Sequence, residues 1–147
     1  MSVSQLREID LLIMDDDVFF NNLLAKKFDT FKNKPSITGK YNINISQFSD
    51  PDDCLAKVKG YNDAPVNKPT IAFVDYYLGN GINGQHLIKL LINQNKAIKI
   101  VLMSQSERVI GSSKTEDGET ANYSRLIKRE YTPEICCLML LQFITYH

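Results

Sequence analysis

The sequence predicts an α/β domain: a parallel sheet of five strands with helices packed on both faces. Three observations carry that expectation. Short apolar runs, LLIM at residues 11–14, IAFV at 71–74 and, broken by Lys99 alone, IKIVLM at 98–103, read as strands covered on both sides. Between them lie segments whose apolar residues recur at three- and four-residue steps, the period of an amphipathic helix. The two patterns alternate along nearly the whole chain, as they do in a doubly wound sheet.

The first strand, residues 11–14, ends in three aspartates. Phe20, Leu23, Leu24, Phe28 and Phe31 then define the buried face of a helix that begins near Asp17, the expected N-cap. Residues 33–40 carry Pro35 and Gly39 and are expected to form a loop. Residues 41–48 alternate apolar and polar side chains, the pattern of a less buried strand. Ser49 and Asp50 precede Pro51 and two further aspartates, so a second helix runs to about Lys59, with Leu55 and Val58 on its buried side. The third strand, residues 70–74, arrives at Asp75. A loop with Gly79, Gly81 and Gly84 follows, then an apolar helix built on Leu87, Ile88, Leu90, Leu91 and Ile92. Residues 98–103 form a fourth strand ending at Ser104, and Leu126-Ile127 a short fifth ending at Lys128. Thr132-Pro133-Glu134 reads as the cap and first turn of a last helix. Residues 105–124 hold Gly111, Gly118 and a polar run without an apolar stripe, so the fourth helix of the alternation is expected to be short or frayed.

The 147 residues suit one compact domain over 1–147, with a core from about 9 to 145. Lys+Arg and Asp+Glu both number 17, which gives no basic excess for a nucleic-acid partner. No apolar stretch reaches the length of a membrane span and no signal-peptide pattern opens the chain, so a cytoplasmic protein is expected. Cys54, Cys136 and Cys137 form no Cys-x-x-Cys pair and read as buried thiols. His86 stands alone in its helix and is expected at the surface.

In open parallel sheets functional groups gather at the carboxyl ends of the strands. Those ends carry Asp15 and Asp16, Asp75, Ser104 and Lys128. Carboxylates held close together repel unless a cation shares them, and an all-oxygen set of this kind suits Mg²⁺.

This ordered set resembles the receiver domain of two-component response regulators: the acidic doublet in LLIMDDD, the Asp ending AFVD, the Ser ending IKIVLMS, the Lys of RLIK, and Gly84 at the start of the third helix. The resemblance runs from about Leu11 to Phe143. It implies a flavodoxin-like (βα)5 fold with strand order 2-1-3-4-5. It also implies that Asp75 accepts a phosphoryl group from a phosphohistidine on a sensor kinase or phosphotransfer protein. Asp15, Asp16, Asp75 and the backbone carbonyl of Tyr77 would then hold Mg²⁺, Lys128 would pair with Asp75 and the phosphoryl group, and Ser104 would donate a hydrogen bond to a phosphoryl oxygen. On this reading the chain is a signalling domain rather than an enzyme acting on a separate substrate. The alternative is a pseudo-receiver, an interaction module that works without phosphorylation. A haloacid-type phosphatase would need a second Asp two residues after the nucleophile, where Tyr77 stands.

Three positions depart from the family pattern. Gln105 replaces the small residue that usually follows the Ser or Thr, Arg125 takes the place of an aromatic three residues before the Lys, and Arg129 stands where Pro usually follows it. The last helix is apolar nearly all round from Ile135 to Ile144, more than one face against a sheet requires. A downstream protein or a second copy is the expected cover, the alternative being that the segment folds deeper into the chain's own core; no direct contact with nucleic acid and no membrane insertion are expected.

Overall fold

Five strands, β1 (Arg7–Met14), β2 (Tyr41–Phe48), β3 (Thr70–Asp75), β4 (Lys99–Ser104) and β5 (Ser124–Ile127), pair in parallel in the order β2-β1-β3-β4-β5. This computed structural model describes residues 6–59, 68–77, 83–94, 97–108 and 123–146. Its helices are α1 (Val18–Lys32), α2 (Pro35–Thr38), α3 (Pro51–Lys59), α4 (Gly84–Gln94) and α5 (Thr132–Thr145). The expected fold class and strand order are both present. The expected short or frayed helix in 105–124, and the glycines at 79 and 81, fall largely outside the described residues.

The pleat explains why residues 11–14, 71–74 and 100–103 of the central strands are apolar without interruption. Ile9, Leu11 and Ile13 of β1, Ile71 and Phe73 of β3, and Val101 and Met103 of β4 point to one face. There they meet Leu24, Phe28 and Phe31 of α1 and Cys136, Leu140 and Phe143 of α5. Leu12, Met14, Ala72, Val74, Ile100 and Leu102 point the other way, onto Cys54 and Val58 of α3 and Leu87, Ile88 and Leu91 of α4. Phe28 and Phe73 mark the centre of the first core, their rings 5.1 Å apart and tilted by 44°.

Several expectations are corrected in detail. β1 starts at Arg7 rather than Leu11, because pairing with β2 continues past the apolar run. Residues 33–40 are not all loop: Pro35 opens a single helical turn, α2, which buries Ile37 against the first core. On α1, Leu23 is 43% exposed and Asn21 takes the buried position. On α3 it is Cys54, with Val58, that is fully buried, while Leu55 is only partly so. Asp17 caps α1 as expected, its carboxylate accepting from the Phe20 N–H at 3.2 Å.

The three cysteines are buried and unpaired. Burial pushes the Cys54 thiol up to about 12 and raises that of Cys136, which leaves both inert at neutral pH. His86 is exposed. Among the described residues, no helix is long and apolar enough to cross a membrane.

Candidate functional site

The carboxyl ends of β1, β3, β4 and β5 open on one cleft of about 430 Å³, lined by Asp16, Asp75, Tyr77, Gln105, Ser106 and Lys128 among others. Asp75 has the same parity as Phe73 on β3, so its side chain projects toward the α1 and α5 face. Asp15 follows β1 directly. One carboxylate oxygen each from Asp15, Asp16 and Asp75 lie within 4.8 Å of one another. Lys128 reaches into this group: its Nζ is 2.6 Å from Asp15 Oδ2 and 3.1 Å from Asp75 Oδ1.

Burial is uneven among these groups. Asp15 is wholly buried, Asp75 and Lys128 nearly so, and Asp16 is exposed. Desolvation, and then the charge of Asp15, lift the Asp75 carboxyl to about 6 against the pull of Lys128. Asp15 is also raised, chiefly by its burial. Lys128 is raised because the two carboxylates outweigh the desolvation that opposes its charge. One amine therefore serves two carboxylates, and the site carries a surplus of negative charge at neutral pH.

That surplus bears on Mg²⁺. The donor set is all oxygen, and three carboxylates converge. Asp15 Oδ2 is buried, and the Lys128 ammonium 2.6 Å away is the charged group that faces it among the described residues. A small hard cation fits such a set, because it relieves the repulsion between Asp15 and Asp75 that adds to the desolvation of Asp75.

The backbone around the cleft is tightly held. The Asp15 N–H donates to the Phe48 carbonyl at 3.1 Å, and Asp15 Oδ1 accepts from the Asp17 N–H at 2.9 Å. The Tyr76 N–H donates to the Met103 carbonyl at 2.8 Å, and the Lys128 N–H to the Ser104 carbonyl at 2.8 Å. Gly84 packs against the peptide after Asp75 so closely that a Cβ there would lie 2.4 Å from the Asp75 carbonyl oxygen. Only glycine permits this approach.

Ser104 ends β4 fully buried, its Oγ accepting from the Ser106 N–H at 3.1 Å. Tyr77 lines the cleft, pairs with Asn83 through an isolated antiparallel bridge and is 59% exposed, its ring edge-on to Tyr76. Of the three departures, Gln105 lies on the cleft wall. Arg125 stands over the Tyr123 ring, 5.5 Å from its centroid. Arg129 forms an exposed ion pair with Glu107, linking the segment after β5 to the segment after β4.

Two contributors escaped the sequence reading. Asn21 is a buried amide whose Nδ2 donates to the Asp15 carbonyl at 3.0 Å and the Phe48 carbonyl at 2.9 Å, while its Oδ1 accepts from Gln47 at 2.9 Å. The signal was an amide at helical spacing with Leu24, Phe28 and Phe31. Thr132, the expected cap of the last helix, is instead its first residue; Tyr131 holds the cap position and no side chain caps it. The Thr132 hydroxyl instead donates to the Ile127 carbonyl at 3.1 Å and accepts from the Arg129 N–H, closing the turn that presents Lys128.

α5 absorbs much of its apolar surplus into the first core through Cys136, Cys137, Leu140, Phe143 and Ile144. A row with Tyr131, Ile135, Leu138 and Leu141 remains exposed.

In sequence, no family model and no curated protein matches this chain. In structure, many solved chains do. The receiver domain of NtrX from Brucella abortus is 18% identical, with a TM-score of 0.67 over 94% of this chain and 100% of that one. A response regulator from Colwellia psychrerythraea is 19% identical, with a TM-score of 0.63 over 97% and 100%. A chain in the CheX-CheY-BeF3-Mg²⁺ complex from Borrelia burgdorferi is 15% identical, with a TM-score of 0.57 over 90% and 88%. From strand order to chain coverage, the protein has the fold of the response regulator receiver domains.

Proposed function

We propose that this chain is a phosphoacceptor signalling domain in which Asp75 takes a phosphoryl group from a phosphohistidine on a partner protein. The observation that carries the reading is the convergence of Asp75 with Lys128, at 3.1 Å, and with the carboxylates of Asp15 and Asp16 at the mouth of one cleft. The likeness to receiver folds, one of them solved with BeF3 and Mg²⁺, supports it.

Above pH 6 the Asp75 carboxylate is mostly ionised and serves as the nucleophile. One of its oxygens attacks phosphorus while the P–N bond of the donor breaks. The electron pair of that bond goes to the imidazole nitrogen, and an acyl phosphate is left on Asp75. Lys128, already against Asp75, pairs with the phosphoryl oxygens that replace the carboxylate charge. Asp15, Asp16, Asp75 and the Tyr77 carbonyl would hold Mg²⁺, which when bound neutralises charge on the phosphoryl oxygens. Ser104 turns its hydroxyl from Ser106 toward a phosphoryl oxygen and draws the segment after β4 with it, so a local change in charge alters the surface read by other proteins. The reader of that surface is a downstream protein or a second copy bound on the exposed row of α5, and the setting is cytoplasmic.

Two observations favour the pseudo-receiver reading: Lys128 lies closer to Asp15, at 2.6 Å, than to Asp75, at 3.1 Å, and the bulky Gln105 lines the cleft. Intact-mass spectrometry after incubation with Mg²⁺ and acetyl phosphate separates the two. The expected result is one added phosphoryl mass that is lost in Asp75→Asn. Absence of an adduct with this donor and with phosphorylated partner proteins would leave the pseudo-receiver.

A further inference from the structure

An ammonium has three N–H donors, and that of Lys128 is almost entirely withdrawn from water. Asp15 and Asp75 account for two neighbours, and the third is an aromatic ring. Nζ stands 4.3 Å from the ring centroid of Phe20, well inside the range of a cation–π contact. Phe20 is placed there by its backbone. It lies in the first turn of α1, its N–H held by the Asp17 carboxylate, and Asp17 is tied in turn to Asp15 Oδ1. Its ring packs against the first core.

We infer that Phe20 is a positioning residue for Lys128, its ring face holding the ammonium over Asp75. This inference rests on the phosphoacceptor reading. The two carboxylate contacts are not equivalent in use. Asp15 is a ligand for the cation in that reading, and Asp75 loses its free carboxylate on phosphorylation. A ring neither binds the metal nor reacts, so among the described side-chain partners of the Lys128 ammonium it is the one that is unchanged before and after transfer. Without it the four-carbon stem is free to follow whichever carboxylate remains, and the charge is less often where a phosphoryl oxygen needs it.

The test compares Phe20→Leu, which keeps apolar bulk, with Phe20→Tyr, which keeps the ring, using acetyl phosphate and Mg²⁺ as the donor system and thermal midpoints to monitor folding. Phosphorylation of Phe20→Leu is expected to slow about 3- to 30-fold, and Phe20→Tyr to stay within about twofold of the parent, the span that cation–π contacts cover. In metal-free protein, NMR should show the Lys128 Hε resonances shifted upfield by the ring, with the shift lost in Phe20→Leu and kept in Phe20→Tyr. Equal rates for Phe20→Leu and parent overturn the inference, as does equal slowing by both substitutions, which would mark a packing effect. If the parent takes no phosphoryl group, the function reading falls and the metal-free spectra decide alone: a shift that only the aromatic variants show upholds the placement, and its absence from the parent overturns it.

Discussion

Replacing Asp75 by Asn should make the metal-free protein more stable at neutral pH, although it removes a partner of Lys128. Burial and the charge of Asp15 lift this carboxyl from 3.8 to about 6, so the folded state holds a proton on it more tightly than the unfolded chain does. The associated stability is fully present below about pH 4, falls as pH rises toward 6 and is gone above that. A gap of that size is worth about 3 kcal/mol at 1.36 kcal/mol per pH unit, and the attraction of Lys128 is already contained in it. Asn resembles the protonated acid and does not titrate, while Lys128 keeps Asp15 at 2.6 Å. Asp75→Asn should therefore melt about 6–12 °C above the parent at pH 8 in EDTA, for a chain of this length. The two should converge near pH 4. Adding Mg²⁺ should raise the parent toward the variant, because the cation relieves the same repulsion. A variant that melts lower than the parent at pH 8, or a difference that does not change between pH 4 and 8, would refute this account of the charge balance.

Gly84→Ala should destabilise the fold by about 1–3 kcal/mol in urea titrations, because its Cβ would meet the Asp75 carbonyl at 2.4 Å, and should slow phosphorylation by moving that peptide. Asn21→Leu leaves the buried Asp15 carbonyl without its side-chain donor, while Phe48 keeps the Asp15 N–H. A loss of about 1–3 kcal/mol is expected, with weaker Mg²⁺ binding by calorimetry. Asp16→Asn, at an exposed position, should leave metal-free stability within about 0.5 kcal/mol and remove most of the Mg²⁺-induced rise in melting temperature. Leu138→Lys should abolish any concentration-dependent rise in mass seen by light scattering, with little change in stability, because Leu138 is 66% exposed.

Much of the site was legible because its chemistry sits at predictable places. A strand buried on both faces has to be apolar throughout, so its first polar residue marks the point where the chain leaves the sheet. That rule found Asp15, Asp75, Ser104 and Lys128, and the composition of the strands found the fold. The helices were harder, because a helix shows its buried face only by spacing. On α1 the spacing admitted both Leu23 and Leu24, and the packing against the sheet selected Leu24 and Asn21. At residues 33–40, Pro35 reads as a breaker from the sequence but serves as the first residue of a turn that buries Ile37.

The sequence by itself determined the class of fold, the strand ends and the kinds of side chain that meet there, because hydrophobic period and strand length are local properties. Tertiary structure decided which groups touch. Asp15, Asp75 and Lys128 lie far apart along the chain, and only strand order and pleat parity bring one ammonium to 2.6 Å and 3.1 Å from two carboxylates. The lifted Asp75 carboxyl, the ring of Phe20 beside Lys128 and the clamp of Asn21 on Asp15 are consequences of that meeting, since burial and proximity exist only once the sheet has formed.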